Sequence, residues 1–124
     1  MQFWTQFAAS PHGILKIAAD AEAKGWDGLS VVDSQNLSGD PFVALAMAAT
    51  VTERIGLGTA VSNPVTRLPA ATATGIASVN VVSRGRATFG IGRGDSALAH
   101  IGRAPARLGH FEQFLSQLQR LLAG

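Results

Sequence analysis

The sequence predicts an α/β domain built on a parallel sheet, and three observations predict it. Short apolar runs alternate four times with segments of helical period. The links between them are short, so each strand-helix-strand step reads as a right-handed crossover. The polar residues that interrupt the pattern gather after the strands, where ligands collect in such sheets.

Strand one is "QFWTQF", residues 2–7. Ser10 and Pro11 then offer an N-cap and a first-turn proline, and Ile14, Ile17, Ala18 and Ala21 repeat at helical spacing until Gly25. "DGLSVVD", residues 27–33, is strand two, apolar enough to be covered on both faces. Asp40 and Pro41 open helix two, "FVALAMAATVT", which carries no charge from Phe42 to Thr52. A helix without a polar face predicts contact with another subunit or burial within the chain. "RIGLGTAV", residues 54–61, is strand three, and a third helix runs from Pro69 to about Ser83, tolerating Gly75 at about 1 kcal/mol relative to alanine. "RATFGIG", residues 86–92, is strand four. The last helix follows in "ARLGHFEQFLSQLQRLL", with Leu108, Phe111, Leu115, Leu118 and Leu122 on one face.

Two architectures fit this order. One is a small open doubly wound sheet; the other is a (βα)4 half of an eight-stranded TIM (β/α)8 barrel. Either way the 124 residues form one domain, 1–124, with a genuine core.

Composition narrows the function. Hydrophobic residues make up 47% and charged ones 15%, which excludes disorder. The absence of cysteine removes disulfides, thiolate metal sites and cysteine nucleophiles, and His12, His100 and His110 show no ligand spacing, so no metal is expected. No apolar run has membrane-spanning length and "MQFWTQFAASPHG" lacks the marks of a signal peptide, so a cytoplasmic protein without a membrane partner is expected. The net charge of +2 is unevenly divided: three Lys or Arg against six acids up to Ser62, then seven Arg against two acids. With few aromatics and no basic run, that asymmetry predicts no nucleic-acid partner.

The candidate site lies on one rim. Asp33, Ser34, Gln35 and Asn36 follow strand two, Ser62, Asn63 and Arg67 follow strand three, and Arg93, Gly94, Asp95 and Ser96 follow strand four. In "FGIGRGDS" three alternating glycines interrupt a strand at a cost in backbone entropy, which predicts a close approach by a ligand or by other backbone. The spacing is not that of a dinucleotide fingerprint. Arg93 either holds a phosphate or pairs with Asp95 or Asp33 across the rim. Asp95 either handles a proton, if buried, or caps the short helix "SALAHI".

Three stretches together resemble the luciferase-like superfamily of flavin and deazaflavin oxidoreductases: "AEAKGWDGLSVVDS", "GDPFVALAMAATVTERIGLGTAVSNPVTRLPA" and "VSRGRATFGIGRGDSALAH". The resemblance covers essentially the whole chain and implies a β/α barrel that binds FMN or coenzyme F420 and acts on a small-molecule substrate. It implies a non-proline cis peptide at Ala60-Val61, backing the cofactor ring, with Asn63 nearby. It also implies a phosphate contact at Arg93 and a catalytic acid at Asp95. Relatives carry a histidine just after strand two; here Asp33 or Ser34 stands in that place, which makes Asp33 a second catalytic candidate. "AVSNP" resembles the matching stretch of methylenetetrahydromethanopterin reductase and favours the deazaflavin over FMN. Family barrels have eight strands, whereas this chain offers four, leaving strands one and four as unpaired edges. The expectation is therefore a half-barrel completed as a homodimer. The alternative is a non-catalytic cofactor-binding or structural module.

Overall fold

The computed structural model describes residues 1–124. The elements in order are β1 (Trp4–Phe7), α1 (Ile14–Ala23), β2 (Gly28–Val31), α2 (Pro41–Ala49), β3 (Gly56–Ser62), α3 (Pro69–Val82), β4 (Ala87–Ile91), α4 (Ser96–His100) and α5 (Leu108–Ala123). The four strands form one sheet in the order β1-β2-β3-β4, every pair parallel. A doubly wound sheet needs a reversal of strand order, and none occurs, so that alternative falls.

Winding in one direction puts the packed helices on one face. Leu29, Val31 and Leu57 point there and are fully buried with Ile14, Ala18 and Leu45, beside the nearly buried Ile76. The opposite face follows the register Trp4 to Gly28 to Gly56 and carries mostly small residues. A methyl group on Gly56 would come within 2.7 Å of the Trp4 ring, and one on Gly28 would collide with that ring outright. The two glycines thus leave room for an indole laid flat across three strands, closing the floor of the concave face.

Helix boundaries follow local chemistry. Asp40 caps α2 by accepting from the amides of Phe42 at 2.8 Å and Val43 at 3.2 Å, with Pro41 as the first helical residue. Gly25, at φ +81°, ends the turn after α1, where the Trp26 amide donates to the Ala21 carbonyl at 3.2 Å. The expected start of α1 shifts: Ser10 and Pro11 open a separate turn, and regular helix begins at Ile14. The uncharged α2 is covered by its own chain, packed between α1 and α3 through Ala44, Leu45, Ala48 and Ala49, so it needs no second subunit. Gly75 in α3 has a similar reason: a methyl group there would meet the Phe42 ring of α2 at 2.7 Å.

The rim opposite the candidate site is locked by two side chains. Arg86 donates to the carbonyls of Ser83 at 2.7 Å, Ile55 at 2.8 Å and Thr52 at 2.9 Å, and to the Thr52 hydroxyl at 3.0 Å. Glu22 accepts from the amides of Glu53, Arg54 and Ile55, fastening the loop before β3 to α1. Burial works to raise the Glu22 pKa, but the amide donors of Ile55, Arg54 and Glu53 outweigh it, and the carboxyl titrates below its ordinary range. No helix is long and apolar enough to cross a membrane.

Two outcomes are expected. Gly56→Ala will lower unfolding stability by about 1 to 3 kcal/mol in urea melts, and on a Trp4→Ala background the same change will cost far less. Because the folded pKa of Glu22 lies below its unfolded value, its contribution is present above the ordinary glutamate range and fades as pH falls through the folded value. The urea midpoint will therefore drop on acidification, and less steeply in Glu22→Gln.

Candidate functional site

The site begins with one extra residue in β3. Thr59 pairs with Phe89 and Ser62 with Ile91, so three steps on β3 face two on β4. This is a β-bulge, and it lies at Ala60 and Val61, whose peptide bond is cis. In a regular strand successive side chains point to opposite faces. Here both Ala60 and Val61 line the same cleft. The ladder is repaired by a side chain: the Thr59 hydroxyl accepts from the Gly90 amide at 3.0 Å and donates to the Gly90 carbonyl at 2.7 Å. The Ala60 carbonyl, released from the ladder, accepts from Gln6 Nε2 at 3.2 Å.

Of the alternating glycines, Gly90 within β4 and Gly92 just after it serve this bulge. A methyl group on Gly90 would collide with the Thr59 carbonyl oxygen and press on Val61 at 3.3 Å, one on Gly92 would press on Val61 at 3.2 Å, and one on Gly94 would strike Leu98. The close approach that their density predicts is therefore made first by the protein itself. Gly94 also has φ +83°, a conformation that glycine adopts without penalty.

Behind the bulge lies a buried anion. Asp33 is 3% exposed and accepts from Ser62 Oγ at 2.6 Å, Arg67 Nε at 2.8 Å, Arg67 Nη2 at 3.0 Å and Gln35 Nε2 at 2.7 Å. Those four donors fill the acceptor sites of a carboxylate. Arg67 also donates to Asp40 at 2.9 Å and sits over the Phe42 ring, 4.9 Å from its centroid. The Asp33 hydrogen bond is the largest influence on Arg67 and lifts its pKa above the ordinary value, against burial and with help from Asp40. Burial tends to raise the Asp40 pKa, but the Arg67 hydrogen bond and the helix amides prevail and lower it. The network ties the loops after β2 and β3 to the start of α2.

Arg93 makes neither of the rim pairs that its sequence position suggests. Its Nε donates to the Ala106 carbonyl at 2.6 Å, and its own carbonyl accepts from the Ala106 amide at 2.9 Å. This two-way clasp aims the guanidinium while both Nη groups remain without a protein partner. Asn63 is 2% exposed, and its Oδ1 accepts from Val65 N, Thr66 N and Thr66 Oγ1. That use of the oxygen fixes the amide orientation and leaves Nδ2 free to donate from a residue lining the cleft. Asp95 and Ser96 are exposed, and Asp95 makes no capping bond to α4. The short helix is held instead by Leu98, which is fully buried.

These residues surround one cleft of about 560 Å³ at the carboxyl ends of the strands. Every one of Asp33, Ala60, Val61, Asn63, Arg93, Gly94, Asp95 and Ser96 lines it. Gln6 and Pro105 line it too, and sequence reasoning passed over both. Position gives a signal for Gln6, since it is the last residue but one of a strand that ends on the same rim. No local signal marks Arg67 as the partner of Asp33. Chemically the cleft offers a half-exposed apolar wall at Val61, fixed amide donors at Asn63 and a free cationic fork at Arg93. That combination suits a planar ligand rich in acceptors and carrying an anionic tail.

Residues 2–124 match the model of a family described as luciferase-like monooxygenase. The 5,10-methylenetetrahydromethanopterin reductase of Methanolobus tindarius is 41% identical over 100 residues, 78% of this chain and 30% of that protein. The enzyme of the same name from Methanopyrus kandleri is 37% identical over 87 residues, 70% of this chain and 25% of that protein. Among solved structures, the coenzyme F420-dependent tetrahydromethanopterin reductase from Methanopyrus kandleri superposes with a TM-score of 0.82 at 24% identity, covering 98% of this chain and 39% of that one. Monooxygenase RslO1 from Streptomyces bottropensis gives 0.82 at 23% identity, covering 100% and 44%. The chain thus corresponds to part of a β/α-barrel enzyme and spans less than half the length of these relatives.

The buried pair sets a clear expectation. Arg67→Ala strands the Asp33 carboxylate without its main counter-ion and will cost about 3 kcal/mol or more in denaturant unfolding. Adding Asp33→Asn to that variant will recover part of the loss.

Proposed function

We propose that this chain, which belongs to the luciferase-like monooxygenase family, binds a flavin-type cofactor in the cleft at the carboxyl ends of its strands. The reaction class is hydride transfer or monooxygenation of a small organic substrate. The observation that carries the reading is the Arg93 fork, aimed by its clasp to Ala106 and left without a protein anion beside the Ala60-Val61 bulge.

Each residue has a task in this reading. Ala60 and Val61 face one side of the ring, Asn63 Nδ2 donates to a ring carbonyl, and the Nη groups of Arg93 hold a phosphate. Gly94 turns the chain so that Ser96 can add a hydroxyl to the same phosphate site. When bound, the cofactor supplies the redox chemistry; the protein's share is orientation and exclusion of water. Asp95 is the acid of the pair of carboxylates: it is unpartnered and reachable from the cleft, and the burial that the role requires comes only when bound cofactor covers it. Asp33, with four donors already on it, holds Ser62 and Arg67 in position. The deazaflavin coenzyme F420 is favoured over FMN, and the support is the 41% and 37% identity to methylenetetrahydromethanopterin reductases.

A second reading is a cofactor-binding module without turnover. It draws on the exposure of Asp95, which has no partner to hold it against a substrate.

Titration of the purified protein with coenzyme F420 and with FMN, read by absorbance and fluorescence, separates these readings. Saturable binding of one of them is expected. Arg93→Ala will weaken it by about ten- to a hundredfold, the loss of a charge-assisted hydrogen bond. Asn63→Asp keeps the oxygen that caps the turn but removes the donor, so it will weaken binding while leaving the urea midpoint nearly unchanged. Failure of both cofactors to bind would remove the proposal; binding without reduction of any substrate would favour the module.

A further inference from the structure

Residues 94–105 leave the body of the protein at Arg93 and return to it at Ala106, where the two-way clasp joins the ends. Between those points every main-chain hydrogen bond stays inside the segment. Ala99 N donates to the Asp95 carbonyl at 2.9 Å, Ile101 N and Arg103 N to the Leu98 carbonyl at 3.1 and 2.8 Å, and Gly102 N to the Ala99 carbonyl at 3.1 Å. Its side chains make no hydrogen bond or ion pair with the rest of the chain. What holds the segment down is Leu98, 0% exposed and the only buried residue from 94 to 105.

Leu98 joins neither of the two apolar cores. Its seat is Gly94. A methyl group there would collide with Leu98 and lie 3.2 Å from Asn63 Cβ, so the leucine fills the space that the bare glycine leaves beside the buried cleft amide. Gly94 at φ +83° and Gly102 at φ +69° bracket the seated piece, both in a region where glycine turns without penalty.

The same segment is a wall. Gly94, Asp95, Ser96, Ala97 and Pro105 all line the cleft. One apolar side chain therefore fastens a wall of the cleft, and opening a piece held in this way costs far less than unfolding the domain.

We propose that Leu98 is a positioning residue for the cleft. Seated against Gly94, it holds α4 in place as a wall. Unseated, it frees α4 to swing as a flap on Gly94 and Gly102, and the stretch 99–105 is released with it while the clasp between Arg93 and Ala106 stays shut. The ligand-competent form is the seated one, so seating and binding are linked: a bound ligand holds the latch, and a loosened latch lowers apparent affinity by the fraction of molecules left open. That linkage rests on the cofactor-binding reading of the cleft; the latch itself does not.

Trypsin under native conditions reads the flap, because Arg103 lies in the released stretch. Cleavage after Arg103, identified by fragment mass, should proceed at a rate nearly independent of urea at low concentration, since a local opening exposes little surface. Leu98→Ala should raise that rate about thirtyfold or more, the effect of truncating a buried leucine. Leu98→Met should restore it. Ile76→Val, which weakens the main core, should lower the urea midpoint and leave the rate unchanged. Whichever of coenzyme F420 and FMN binds should slow the cut in the unmodified chain, and Leu98→Ala should bind it about tenfold more weakly. A rate that climbs with urea in step with global unfolding of the unmodified chain would overturn the proposal, whether or not Leu98→Ala folds. So would a Leu98→Ala chain cut at the unmodified rate, or a bound cofactor that leaves the rate unchanged. If neither cofactor binds, the reading of the cleft falls and the urea series alone decides the latch.

Discussion

The candidate site depends on a single inserted residue. Because β3 has one residue more than β4 between its last two pairings, Ala60 and Val61 both turn to the cleft and the alternation is reset before Ser62 and Asn63. Ser62 can then reach back to Asp33, and Asn63 can cap the following turn. The glycines of β4, the Thr59 hydroxyl and the Gln6 amide all serve the same irregularity: they make room for it or satisfy the main-chain groups it releases. A regular strand in this place would hide one of the two wall residues and leave the rim without its shape.

The Asp33 and Arg67 pair plays a different part from a stabilising bridge. Desolvating two charges offsets most of what their attraction returns, so such a pair is a poor device for stability alone. What it does here is geometric. It reads the position of three segments at once: four donors from Gln35, Ser62 and Arg67 converge on one carboxylate only when β2 and β3 end at the right places, and Arg67 reaches Asp40 only when α2 begins at the right one. Phe42 extends that frame inward, with Arg67 on its face and Phe89 of β4 stacked at 6.3 Å.

Much of this was legible in the sequence. The alternation of apolar runs fixes strand and helix order because its periods, two and 3.6, are local properties of the chain. The gathering of Asp33, Asn63 and Arg93 on one rim follows from that order alone. Other features needed the register. Nothing in "GWDG" or "RIGLG" says that Gly28 and Gly56 share a row with Trp4 and clear space for its ring. The partner of Asp33 was equally hidden, since Arg67 lies in another loop and charge pairing across a fold leaves no spacing to read. The apolar α2 left two readings open for a related reason, and burial within the chain is the one that holds: a helix flanked by two others of its own chain needs no polar face.

The clasp between Arg93 and Ala106 divides the labour of the loop it encloses. Residues 94–105 begin and end at the same anchored point, and beyond the buried Leu98 the exposed stretch 99–105 can change in length and sequence at little entropic cost, which rises only slowly with loop size. An exchange of that segment would alter what the cleft admits while the guanidinium keeps its aim. The fold thereby has an interchangeable cassette next to a fixed anchor, a layout under which new specificities can be tried without rebuilding the foothold they share.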